Sequence, residues 1–225
     1  MSYFRSIRDY QIRLNSLALP NSKILGVDGM NGPNTRGEIA NAVRQLGLND
    51  PEELFDPSGI NRIHWHWAAS TYSVNWNVRR HYNGVFDYEG NQYDGGCPPQ
   101  QQAAYVPYKV GVSHTLNANT GAVGLTFAGM AGATANWGAN TVDQGSYPLT
   151  WKGVDAMLEH TAELCRLFDI KPSPWTTITH CEVQTNIGIK QRNKWDIRVM
   201  PESKTLLTEK SAGDILRARM MEKFW

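Results

Sequence analysis

The apolar positions change period along the chain, and those changes divide it. Ile7, Tyr10, Leu14 and Leu17 recur at the spacing of one helix face. Pro20-Asn21-Ser22 breaks that helix, and Val27-Asp28-Gly29-Met30-Asn31-Gly32-Pro33 reads as a turn-rich loop. A second helix, capped by Asn34 or Thr35, carries Ile39, Val43 and Leu46 on its apolar stripe and stops at Gly47. Asp50-Pro51 opens a short third helix, and Asp56-Pro57-Ser58-Gly59 forms a natural boundary. Residues 1–58 are expected to form a small three-helix domain, and residues 59–225 a second one.

Beyond the boundary, strand-like and helix-like periods mix. Ile60 to Ala69 reads as a strand, and Val85 to Tyr93 as a hairpin turning at Asp87-Tyr88-Glu89-Gly90. Val110 to Thr115 and Ala122 to Ala128 are two further strand candidates, and Gly129 to Tyr147 is expected to be a loop. Thr150 can cap a helix whose apolar face is Val154, Met157, Leu158, Leu164, Cys165 and Phe168. Trp175 to His180 returns as a strand, 186–201 as a loop, and Ser211-Ala212-Gly213-Asp214 resembles a capping box before a C-terminal helix. The expected class is α/β, a mixed central β-sheet flanked by helices, beside the N-terminal three-helix domain.

Composition narrows the choice of partners. Of 225 residues, 41% are hydrophobic and 19% charged, a globular balance. The 22 basic and 21 acidic residues leave a formal net charge of +1, so no global field draws the chain to nucleic acid or an anionic membrane. No apolar run is long enough to span a bilayer, and the charged opening Met1 to Asp9 lacks an apolar leader. Neither nucleic-acid binding nor membrane insertion is expected. Cys97, Cys165 and Cys181 are odd in number and lack a Cys-x-x-Cys pair, which fits reduced thiols rather than a disulfide framework or a thiolate zinc site.

The chemistry-bearing residues are mostly histidines. In Ile63-His64-Trp65-His66-Trp67, strand alternation puts His64 and His66 on one face, where two imidazoles need a hydrogen-bond partner or a metal. His180 precedes Cys181-Glu182-Val183, and Lys194-Trp195-Asp196 follows on the next loop. A hydrolytic zinc needs three protein ligands and a site for water, which two histidines and an aspartate can supply. Spacing alone leaves the choice among these residues open. No Gly-x-Ser-x-Gly elbow is present, and Cys97, the one loop thiol, has no identifiable base. Glu182 reads as an exposed strand-end carboxylate, with a role behind His180 as the alternative.

From Ile60 to about Pro201 the chain resembles the zinc amidases that include phage lysozyme-amidases, cytosolic anhydromuramyl-peptide amidases and peptidoglycan recognition proteins. The likeness rests on Ile63-His64-Trp65-His66-Trp67-Ala68-Ala69-Ser70, His81-Tyr82-Asn83-Gly84-Val85, Gly111-Val112-Ser113-His114 with Thr120-Gly121-Ala122-Val123-Gly124-Leu125, and Thr179-His180-Cys181-Glu182-Val183 with Lys194-Trp195-Asp196. It implies Zn²⁺ bound by His66, His180 and Asp196, with His64 as the fallback for His66. It implies Tyr82 and Lys194 as catalytic groups, and His114, Trp67 and Asn119 as substrate-binding candidates. Cys181 is set aside as a ligand because it adjoins His180 on the presumed strand and should face the other way. Residues 10–17 and the Asp28-Gly29-Met30-Asn31-Gly32-Pro33-Asn34-Thr35-Arg36 segment resemble a helical peptidoglycan-binding module.

Together the resemblances imply an N-acetylmuramoyl-L-alanine amidase cutting the lactyl–L-Ala bond of peptidoglycan. A monomeric phage or prophage endolysin is expected, held in the host cytoplasm before release to the wall. The alternatives are a non-catalytic peptidoglycan-recognition protein and an amidase of soluble recycling fragments.

Overall fold

Residues 6–55, 58–103 and 110–225 are described by the structure, a computed structural model. Asp56-Pro57, at the expected boundary, lies outside them. Helix α1 (Ile7–Leu17) begins with a reciprocal cap: the Ser6 hydroxyl accepts from Asp9 N–H and the Asp9 carboxylate accepts from Ser6 N–H. Helix α2 (Pro33–Leu46) starts two or three residues earlier than expected. Its cap is Gly32 rather than Asn34 or Thr35, because Pro33 at the first helical position needs no N–H partner and brings a preset φ. Gly47 ends it in the left-handed region at φ 67°. The third expected helix is a single 3₁₀ turn, Pro51–Leu54, capped by Asp50.

These pieces share an apolar cluster of Tyr10, Leu14, Leu25, Ala42, Leu54 and Phe55. The Asp28-Gly29 turn is clamped onto α1: Gln11 Nε2 donates to Asp28 Oδ1 at 2.7 Å, and Gly29 N–H donates to Gln11 Oε1 at 2.8 Å. Gly29 sits at φ 79°, a conformation that disfavours other residues.

The second region is built on β1 (Arg62–Trp67), the one-turn helix α3 (Trp76–Arg79), β2 (Gly84–Phe86), β3 (Gln92–Asp94) and β4 (Ala122–Phe127). There follow β5 (Thr134–Asn136), β6 (Thr141–Asp143), α4 (Trp151–Leu167), β7 (Thr177–Thr179), α5 (Val183–Ile187) and α6 (Glu209–Phe224). Five strands form a mixed sheet in the order β3-β2-β4-β1-β7, parallel except for β3 at the edge; β5 and β6 pair separately. The class is therefore α/β, with a mixed central sheet and, among the described residues, six α-helices.

Three sequence expectations change. Residues 110–115 are irregular, since β4 already has β1 and β2 on its two edges. Asn119 Oδ1 holds the segment instead, accepting from His114 N–H at 3.0 Å and Thr115 N–H at 2.8 Å. The Gly129–Tyr147 stretch contains the β5–β6 hairpin. Helix α6 starts two residues before Ser211, with the Thr208 hydroxyl accepting from Ser211 N–H at 3.0 Å.

The main core lies between one face of the sheet and helices α4 and α6. Ile63, Trp65 and Trp67 belong to it, and Trp65 Nε1–H donates to Thr161 Oγ1 of α4 at 2.9 Å. Ile12 of α1 packs with Ile178, Val183 and Ile187 in a different cluster, so α1 serves two apolar groups. Polar ties reinforce that contact: Arg62–Asp9 at 2.8 Å, Arg13–Asp169 at 3.1 Å, and Arg8 Nη1 to Ile187 O at 2.6 Å. Among the described residues no helix is long and apolar enough to cross a membrane.

Candidate metal centre

Strand alternation decides which β1 side chains meet. Odd positions face α4, and His64 and His66 point to the opposite side. His66 stands near the carboxyl end of β1, and His180 opens the 3₁₀ turn His180–Glu182 directly after β7, the neighbouring parallel strand. Asp196 arrives on the irregular segment after α5, where Cys181 N–H donates to its carbonyl at 2.8 Å. The carboxyl ends of adjacent parallel strands are where open α/β sheets commonly gather a site.

Three atoms converge there. His66 Nδ1 lies 3.0 Å from His180 Nδ1, and each is 3.1 Å from Asp196 Oδ2. All three residues are buried. Three corners of a zinc tetrahedron with ligand distances of about 2.0–2.1 Å are about 3.3 Å apart, so the donor set and its spacing fit such an ion.

A second group, His64, His66 and His114, could also hold a metal by proximity. Its centre already contains a protein atom. Thr115 Oγ1 lies 3.0 Å from His64 Nδ1, 2.9 Å from His114 Nδ1 and 3.3 Å from His66 Nε2. A hydroxyl accounts for this convergence without an ion, so the group with Asp196 is the better metal candidate. His64 Nε2 is buried with no hydrogen-bond partner among the described residues.

Burial governs the protonation of these rings. It lowers the pKa of His66 to about 4, with Asp196 pulling the other way. His64 and His114 are held well below the usual histidine value, mainly by burial and then by neighbouring imidazoles. Asp196 is itself buried, which opposes ionisation, but the histidines beside it take its carboxyl below the ordinary aspartate range. Neutral imidazoles facing a carboxylate are the protonation states a divalent cation requires.

The other sequence candidates divide around this centre. Tyr82 is half-buried with its ring centroid 5.3 Å from that of His66; burial, then Asp196, pushes its hydroxyl pKa up. Lys194 is exposed and lines a cavity of about 770 Å³, together with His180, His114, Asn119, Ser113 and Gln102. His114 and Asn119 thus reach that cavity, although the Asn119 carbonyl oxygen is engaged by backbone. Trp67 does not line it: the residue is 7% exposed and its ring packs edge-on against Trp195 at 4.7 Å, in the core. This corrects its place among the substrate-facing residues.

Two neighbours of His180 also differ from expectation. Glu182 is fully buried rather than exposed, and it does not support His180. Its carboxylate receives Arg217 at 2.7 and 3.0 Å and Thr179 N–H at 2.9 Å. Gly213 makes this packing possible, since a Cβ there would lie 2.0 Å from Glu182 Oε2. Cys181 is not in the cluster, though for another reason than strand alternation: in the turn after β7 its thiol lies 3.1 Å from Thr179 Oγ1. Cys97, Cys165 and Cys181 are all free thiols.

Sequence reading missed Thr115 and Gln191. Gln191 Oε1 lies 3.1 Å from His180 Nε2, and no motif marked it. Gly124 was noted only as part of a strand pattern. A Cβ there would lie 2.4 Å from the His114 ring, so the glycine makes room for that imidazole. No protein-family model matches the chain, and no curated protein matches it either.

Proposed function

We propose that the chain is a zinc-dependent N-acetylmuramoyl-L-alanine amidase that hydrolyses the lactyl–L-Ala amide bond of bacterial peptidoglycan, in the setting of a phage or prophage endolysin. On this reading the N-terminal helical unit binds the wall polymer. The observation that carries the reading is the convergence of His66 Nδ1, His180 Nδ1 and Asp196 Oδ2 within 3.0–3.1 Å of one another, beside a cavity bordered by Lys194. The resemblance that singled out these residues from sequence supplies the bond and the substrate.

Bound by these three residues, zinc would supply a water acidic enough to ionise near neutral pH and polarise the scissile carbonyl. The protein's own groups do the remaining work. Lys194 brings an ammonium to the cavity wall, where it stabilises negative charge developing on the carbonyl oxygen. Tyr82, beside His66, offers a hydroxyl that orients the attacking water or passes a proton to the leaving amine. The low pKa of His66 keeps its imidazole neutral as a donor at working pH.

Digestion of purified sacculi tests this reading, with products read by mass spectrometry. Native protein should release stem peptides with a free L-alanine amine, lose that activity to a chelator and regain it with zinc. Asp196→Ala should lose more than the roughly hundredfold that follows from disturbing a ligand's outer partners. Bound but intact polymer would instead support a recognition protein. New reducing sugar ends would mean a glycosidase, and cleavage of soluble muropeptides alone would mean a recycling enzyme.

A further inference from the structure

Each imidazole of the candidate centre uses Nδ1 towards Asp196, and a neutral imidazole has only one bare nitrogen. Its useful tautomer must therefore carry the proton on Nε2. In a metal-free site, Asp196 works against this by offering an acceptor to an Nδ1–H. Something on the far side of each ring has to hold the proton there.

For His180 that partner is Gln191. Its Nε2 group donates to Leu116 O at 2.9 Å and Ile189 O at 3.2 Å. Carbonyls only accept, so these bonds occupy both amide hydrogens and fix which end of the side chain faces His180. The end that faces it is Oε1, at 3.1 Å from His180 Nε2. An oxygen there demands an N–H, which leaves His180 Nδ1 bare. Gln191 is buried, and its own N–H donates to Gln184 Oε1 at 3.0 Å, so the backbone beneath it is held as well.

For His66 the partner is His114. His114 Nε2 lies 3.1 Å from Ala122 O, which favours the proton on that nitrogen; the Gln102 Nε2 amide, 3.3 Å away, has Val112 O at 3.1 Å and Ala122 O at 3.2 Å as its own acceptors. Its Nδ1 is then bare and lies 3.2 Å from His66 Nε2. When a cation takes His66 Nδ1, the ring's one proton sits on Nε2, and His114 Nδ1 is the acceptor placed to receive it. The Thr115 hydroxyl, 3.3 Å from His66 Nε2, is a weaker alternative acceptor.

We infer that Gln191 and His114 are positioning residues: Gln191 pins His180 in its Nε2–H tautomer with or without a metal, and His114 accepts the Nε2 proton of His66 once a cation takes its Nδ1. This rests on the metal site proposed above and adds a role for two residues that line the cavity without being metal ligands. His114, which also lines the cavity, gains a role as a support for His66.

The test combines tautomer assignment and zinc affinity. Histidine-¹⁵N NMR on the metal-free native chain should report Nε2–H on His180, and Asp196→Ala should leave that tautomer in place. Gln191→Met, of similar length and without an acceptor amide, should release His180 into a tautomer mixture. It should also weaken zinc binding about 10–100-fold in competition with a chromophoric chelator. His114→Phe should weaken it less, because Thr115 remains near His66. Circular dichroism checks that each variant is folded, and the native-chain tautomer requires no variant. An Nδ1–H tautomer on native His180, or equal zinc affinity in folded Gln191→Met and native protein, would overturn the inference alone. No zinc uptake by the native chain would overturn the metal reading and this inference with it.

Discussion

Alternate residues of β1 serve opposite ends. Ile63, Trp65 and Trp67 face α4 and the main core, where their large apolar surfaces leave water. His64 and His66, equally buried, face a polar cluster of imidazoles, Thr115 and Asp196. Burial stabilises the first set and costs free energy in the second, because a polar ring leaves water for only one or two hydrogen bonds. The strand can carry such a cluster because its apolar face anchors it. The difference teaches where to look for function in a fully buried strand: not at exposure, which is uniform along β1, but at the face whose burial is unfavourable by itself.

The sharpest way to break that comparison is to damage the apolar face alone. Trp65 is fully buried, and Trp65→Ala should destabilise the fold by about 3–5 kcal/mol. Urea denaturation would measure the loss. Below the unfolding transition the surviving folded protein should still bind zinc with near-native affinity, because the Trp65 side chain lies in the core against α4. A large affinity loss in the folded fraction would show that the two faces are coupled and that the division is false.

Much of this arrangement was legible in the chain. Period-two alternation predicted that His64 and His66 share a face, and the apolar stripe of the helix after Thr150 packs as expected, with all six residues buried. What sequence could not deliver were roles set by distant partners. Glu182 reads as an exposed acid until Arg217, 35 positions away, is found across from it. Trp67 reads as an aromatic near a site until Trp195 closes on its ring. Gln191 has no motif at all, since its significance comes from the carbonyls of Leu116 and Ile189 fixing its amide. Local pattern records which face a side chain takes, whereas the choice between partners is made by loops whose path the pattern does not contain.

A second effect is expected from pH, again on the polar face only. His66 has a folded-state pKa of about 4 against 6.5 for an ordinary histidine, and His64 and His114 are also well lowered by burial. Below the unfolded value, the unfolded chain binds protons that the folded chain refuses. Stability should thus be greatest above pH about 6.5 and fall as pH drops towards 4, by up to ~1.4 kcal/mol per pH unit for each histidine. Urea midpoints of chelator-treated protein at pH 7 and pH 5 would measure this. A flat profile would mean that the imidazoles are already hydrated or charged, contrary to their burial.

The finest discrimination uses one threonine on each face. Thr161 Oγ1 accepts from Trp65 Nε1–H at 2.9 Å, and Thr115 Oγ1 stands among three histidines. Valine preserves the shape of threonine and removes the hydroxyl, so each substitution leaves a buried polar atom without its partner. Each should cost about 1–3 kcal/mol of stability. Their effects on metal should differ. Thr161→Val should leave zinc affinity unchanged, because Trp65 points away from the centre. Thr115→Val should weaken it less than about tenfold, since His66 keeps its stronger contact with His114. Isothermal titration of zinc into the two folded variants would decide the matter, and equal affinities in both would mean that the Thr115 hydroxyl only fills space among the rings.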